Sequence, residues 1–191
     1  MATVYFITHP DVLIDPTTPV PDWRLNPRGI ERMRAMLKQN WVPGIVHVAS
    51  STERKAFDGA TILAAHLNLT VVPHPGLGEN DRSSTGYLPK AEFEAVANAF
   101  FAHPEQSVRG WERAADAQAR IFGAMRDVLR AAPSGDVAIV SHGGVGALLL
   151  CQLQGTPITR ETDQPAGSGG YLLAFDRADW KLRHRWRAID G

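Results

Sequence analysis

Residues 137–150 read VAIVSHGGVGALLL, and the hydrophobic pattern changes character inside that span. Residues 137–140 are an unbroken apolar run of strand-forming length, the pattern of a strand buried on both faces. From Val145 onward the chain is apolar nearly all round, as in a helix packed against a sheet. Between the two lie Ser141, His142 and a pair of glycines. A strand that ends on a histidine and turns at once into a buried helix is half of a β-α unit, so the fold depends on whether the remaining chain alternates in the same way.

It does. Further strand-like runs occur at residues 4–7, 45–49, 70–72 and 171–175. Asn26 and Pro27 supply an N-cap and a proline at the first helical position, ahead of a stripe at Ile30, Met33, Leu37 and Trp41. Ser51 can cap a second helix with its stripe at Ala56, Ala60, Leu63, Ala64 and Leu67. Phe93, Val96, Ala97, Phe100 and Phe101 mark a third, and the stretch from Trp111 to Leu129 a longer fourth. Strands without alternation, separated by helices, predict an α/β fold: a three-layer α/β/α sandwich with a mainly parallel sheet. Residues 181–189, KLRHRWRAI, alternate apolar and basic instead, which predicts an antiparallel C-terminal edge strand whose charges block edge-to-edge association. The expectation is one domain over 1–191, with a short helical insertion at about 79–113.

Composition narrows the function classes. With 44% hydrophobic residues in 191, the chain can bury a core without disulfide or metal staples. Lys+Arg and Asp+Glu are both 20, so no overall field favours nucleic acid or an anionic membrane. Cys151 is the single cysteine and forms neither an internal bridge nor a zinc cluster. The first residues lack a basic leader, and no run is long enough to span a bilayer, so a cytoplasmic protein is expected. The oligomeric state is not legible.

In open parallel sheets ligands bind beyond the carboxyl ends of the strands. Those positions here hold Thr8-His9, the stretch Ser50 to Arg54, the loop with Glu79, and His142-Gly143-Gly144. Two histidines, an arginine and a carboxylate therefore converge at one end of the sheet. Competing chemistries fit less well. Residues 166–170, AGSGG, precede a strand, whereas a hydrolase nucleophile elbow follows one. His9-x-Asp11 has no second ligand cluster to complete a metal site, and HGGVGALL lacks the glycine spacing of a dinucleotide fingerprint.

These segments resemble the histidine phosphatase superfamily, also called phosphoglycerate mutase-like. FITHPDV aligns with the family's strand ending in Arg-His-Gly, LNPRGIERM with its helix start, SSTERKA with its Ser-x-x-x-Arg-Ala pattern, and VAIVSHGG with its late strand and second histidine. SGGYLLAFD is similar to its last core strand. The resemblance implies phosphomonoester hydrolysis through a phosphohistidine on His9. Arg54 and His142 would hold the phosphoryl oxygens, Glu79 would act as proton donor, and Thr8, Ser51 and Gly143 would line the substrate site. It implies no metal and no cofactor, and a small phosphorylated metabolite or a phosphoprotein as substrate; mutase-type transfer fits less well. Thr8 and Pro10 stand where the family has Arg and Gly. Arg brings a fixed charge and a fork of donors that Thr lacks, so a catalytically weak or silent phosphoester binder is the alternative. Arg24, Arg28 and Arg82 are available to replace the charge, and the sequence does not choose among them.

Overall fold

The computed structural model describes residues 2–165 and 167–191; Met1 and Ala166, the latter in the glycine-rich 166–170 stretch, lie outside the described residues. Strand β1 (Thr3–Thr8) is buried along its whole length, as its unbroken apolar run requires. Helix α1 (Pro27–Met36) starts where Asn26 accepts a hydrogen bond from Gly29 N, with Pro27 at the first position. Strand β2 (Ile45–Ser50), helix α2 (Arg54–Leu67) and strand β3 (Val71–Pro73) follow. Then come α3 (Lys90–Ala102), α4 (Ala114–Ala131), β4 (Asp136–Ser141), α5 (Gly143–Gln154), β5 (Tyr171–Asp176) and β6 (Leu182–Ala188).

The six strands form one sheet in the order β3-β2-β4-β1-β5-β6. β3, β2, β4 and β1 run parallel; β5 opposes β1, and β6 opposes β5. The helices bury two separate apolar layers. On one face Phe100, Trp111, Ile121, Met125 and Leu148 pack together; on the other, Met33, Met36, Leu63 and Val140 do. This is the expected three-layer sandwich. Helix α5 is apolar all round because it is enclosed, with Leu148, Leu149 and Leu150 fully buried, each contributing roughly 1.5–3 kcal/mol.

β6 alternates as expected, its basic positions Arg183, Arg185 and Arg187 lying on the exposed side. Trp186 turns inward, its indole N–H donating to Thr162 O at 2.7 Å. Residues 79–113 contain α3, whose Val96, Phe100 and Phe101 join the main core. Among the described residues no helix is long and apolar enough to cross a membrane.

One consequence of the strand order positions the site. β1, β4 and β2 are neighbours in the middle of the sheet, with Thr8 opposite Ser141 and Ser50 opposite Val140. The residues that leave these three strands therefore emerge side by side at one edge.

Candidate active site

His9 follows β1 and keeps its register: its N–H donates to Ser141 O at 3.0 Å, which seats it beside His142. The two rings lie 5.2 Å apart, inclined at 70°. Nδ1 of His9 is 2.9 Å from the carbonyl of Pro10. A carbonyl only accepts, so Nδ1 carries the proton and Nε2 carries the lone pair. Pro10, which lacks an N–H, thus contributes its carbonyl to fix the tautomer. From the other side Gly170 N donates to His9 O, and Gly169, with φ +45°, lies so close that a Cβ would collide with that oxygen. Burial, reinforced by the Lys55 charge, lowers the His9 pKa to about 4, so the ring is neutral at physiological pH.

His142 is the N-cap residue of α5 and is fully buried. Its Nε2 meets Ser51 Oγ at 2.8 Å and Glu53 Oε1 at 3.4 Å. Its Nδ1 is buried without a hydrogen-bonding partner among the described residues. Burial outweighs the nearby Glu53 carboxylate and lowers the pKa to about 3. Two neutral imidazoles therefore adjoin, one with an open Nε2 and one with an unsatisfied Nδ1.

Arg54 does not join them. It is half-exposed and ion-paired with Asp58 at 2.8 Å on the surface of α2. The next residue, Lys55, is the cation of the interior: 3% exposed, with Nζ donating to Val20 O at 2.9 Å and to the Glu53 carboxylate. Successive residues on a helix point about 100° apart, so a one-residue slip exchanges a solvent-facing side chain for a buried one. The signal was present in SSTERKA. Counted from Ser50, the four-residue spacing reaches Arg54; counted from Ser51, it reaches Lys55 followed by Ala56. Ser51, which binds His142 and accepts from Glu53 N, is the serine that faces the site.

Glu53 was not anticipated. Its carboxylate sits among His142, Lys55 and the N–H of Glu79, which it accepts at 2.8 Å. These partners hold it ionised, well below the usual carboxylate range despite burial.

Glu79 reaches the start of α5, where its carboxylate accepts from Gly144 N at 3.1 Å and Val145 N at 3.0 Å. Glycine at 144 lets the carboxylate approach this closely, since a Cβ there would lie 2.7 Å from Glu79 Oε1 and displace it. The helix N-terminus, a natural anion site, thus already holds the protein's own carboxylate. Arg120 braces the same loop, donating to the carbonyls of Gly76, Gly78 and Glu79.

Thr8 is fully buried and its hydroxyl donates to Gln164 Oε1 at 2.7 Å while accepting from Tyr171 N at 3.0 Å. The amide of Gln164 also lies against Gly143, where a Cβ would meet its Nε2 at 2.5 Å. Gln164 therefore fills the space beside Thr8 and Gly143. Of the three arginines left open, Arg82 borders the site. It lines a cleft of about 590 Å³ together with His9, and its charge further disfavours protonation of that ring.

The profile of the histidine phosphatase superfamily (branch 1) matches residues 15–185, starting just after the Thr8-His9-Pro10 turn. No curated protein matches the sequence significantly. Among solved structures, mycobacterial glucosyl-3-phosphoglycerate phosphatase with VO3 is similar, with a TM-score of 0.78 and 21% identity over 98% of this chain and 100% of that one. A putative α-ribazole-5′-P phosphatase from Escherichia coli gives 0.76 and 17%, covering 99% and 98%. A mutant phosphoserine phosphatase from Entamoeba histolytica in complex with phosphoserine gives 0.75 and 16%, covering 99% and 98%. At these identities the likeness is one of fold.

Proposed function

The chain belongs to the histidine phosphatase superfamily, and from that premise we propose that it hydrolyses a phosphomonoester of a small metabolite through a phosphohistidine on His9. The observation that carries this reading is the His9–Pro10 hydrogen bond, which leaves Nε2 unprotonated beside His142 and without a hydrogen-bonding partner among the described residues. In the first step Nε2 attacks phosphorus in line. The N–P bond forms, the ester P–O bond breaks, and its electron pair leaves with the alcohol oxygen. Water then attacks the phosphohistidine and gives a proton to the Glu79 carboxylate that the first step left deprotonated; the N–P bond breaks, inorganic phosphate leaves, and neutral imidazole returns.

Lys55, Arg82 and His142 Nδ1 are the groups proposed to meet the phosphoryl oxygens; Ser51 Oγ–H donating to His142 Nε2 would place the ring proton on Nδ1, where it can be donated. Arg54 has no part in this assignment. Glu79 is proposed as the proton donor to the leaving oxygen. Thr8 and Gly143 act through Gln164 and shape the wall.

A second reading, phosphoester binding with little turnover, is favoured by one specific arrangement. Glu53 already neutralises Lys55, and the α5 N–H groups are already occupied by Glu79.

Labelled substrate, quenched without acid, tests the two. Turnover by this route requires an acid-labile, base-stable phosphoryl adduct that His9→Ala abolishes. Equal labelling of both proteins removes the covalent mechanism, and phosphate binding without any adduct selects the second reading.

A further inference from the structure

The cleft that begins at His9 is walled mainly by apolar and aromatic groups, and this bears on the alcohol half of the ester. Trp23 is buried, and its indole N–H donates to Asp15 O and Thr18 O, so the ring presents only its hydrocarbon surface. Tyr87 stands 5.7 Å from it, 39% exposed at the mouth, with Ile14 60% exposed nearby. Phe93 lies across the same cleft, and the Arg82 guanidinium rests over its ring at 5.1 Å and over Trp111 at 5.6 Å. Arg82 makes no ion pair with any described residue, and stacking leaves its in-plane donors open. The acids that border the cleft are taken: Asp11 by Arg28 and Arg32, Glu94 by Arg160. Beyond the phosphoryl position, exposed Lys90 is the one charged lining group without an ion pair among the described residues, so the cleft has a single free charge to offer a polar, multiply ionised alcohol.

We infer that the substrate is a phosphomonoester whose alcohol carries a ring-sized apolar or aromatic group close to the ester oxygen. That group would sit between Trp23, Tyr87 and Phe93, with Arg82 reaching from the aromatic shelf to the phosphoryl oxygens. The inference rests on the phosphatase reading, because continuity with His9 fixes which end of the ligand lies where. It separates this chain from an enzyme built for a hydroxylated or carboxylated alcohol.

The test compares 2-phenylethyl phosphate with ethyl phosphate, whose leaving groups are of similar acidity, so that a difference reports binding rather than bond cleavage. The phenyl compound is expected to have a kcat/KM at least about tenfold higher, from apolar area removed from water. The corresponding phosphonates should show the same preference in binding. Tyr87→Ala and Ile14→Ser, both at exposed positions, should narrow the ratio at least about twofold. A ratio near one, or a ratio unmoved by both variants, overturns the inference.

If neither ester is turned over and neither inorganic phosphate nor vanadate binds, the phosphatase reading fails first. The groove is then probed alone with 2-(2-naphthyl)ethanol, reading Trp23 fluorescence against a Trp23→Phe control. Saturable quenching in the millimolar range or below keeps the apolar subsite, and none removes it too.

Discussion

Oε1 of Glu53 lies 3.4 Å from Nε2 of His142, while the other oxygen of the same carboxylate holds Nζ of buried Lys55. An anion is already seated against two of the groups proposed to receive a phosphoryl group. An incoming dianion must therefore share Lys55 with a fixed negative charge.

Glu53→Gln is therefore expected to lower stability and raise phosphate affinity together. Breaking a buried ion pair by removing one partner costs about 3–5 kcal/mol, and bound phosphate restores part of it by giving Lys55 a new partner. Thermal melts with and without phosphate should show a lower Tm for the variant but a larger phosphate-dependent rise, with inorganic phosphate bound at least about tenfold tighter. Unchanged affinity would mean that the carboxylate and the ligand do not compete.

Lys55 and Arg54 are adjacent in sequence and opposite in expected effect. Lys55→Met should cut kcat/KM on an aryl phosphate by about ten- to a hundredfold, the equivalent of a charge-assisted hydrogen bond of roughly 1.5–3 kcal/mol. Arg54→Ala, which loses only a surface pair with Asp58, should stay within about twofold. A larger loss from Arg54→Ala than from Lys55→Met would reverse the assignment.

Glu79 is a helix cap by geometry and a proton donor by proposal, and two variants separate these. Glu79→Ala removes both acceptors from Gly144 and Val145 and should cost about 0.5–2 kcal/mol in denaturant melts. Glu79→Gln keeps an acceptor there but has no acidic proton to transfer. If Glu79 protonates the leaving oxygen, the Gln variant loses far more activity on alkyl than on aryl phosphates; equal losses leave it only the capping role.

The two neutral histidines make stability depend on pH in a window set by their depressed pKa values. An unfolded imidazole titrates near 6.5, whereas His142 waits until about 3 and His9 until about 4. As pH falls below about 6.5 the unfolded state takes up these protons first, so the native state loses stability until the folded values are reached. Asp163, pushed up to about 6 by burial, works in the opposite direction. Comparing wild type with His142→Asn cancels such common terms. Between about pH 6 and pH 4.5 the wild type should lose up to roughly 1.4 kcal/mol per pH unit more than the variant. Parallel curves would show that His142 takes up its proton equally in both states.

Strand and helix positions were legible in the sequence because each is a local property. The apolar run at 137–140, the Asn26-Pro27 helix start and the alternation of 181–189 each report how one segment must be covered, and covering them all gives the three-layer sheet. The two histidines were legible for the same reason: each ends a buried parallel strand. What the sequence did not decide is which of two neighbours faces inward. The Ser50-Ser51 pair permits two registers, and only the packing of α2 against the sheet turns Lys55 in and Arg54 out. Nor did it reveal that Glu53, Glu79 and Gln164 occupy the site's donors and space, since they come from three separate segments. Such contacts are set by which chain ends the strand order 3-2-4-1-5-6 brings together. A pattern read along one segment carries the spacing of its own residues, but the charge balance of the site is a sum over segments that become neighbours only when the sheet closes.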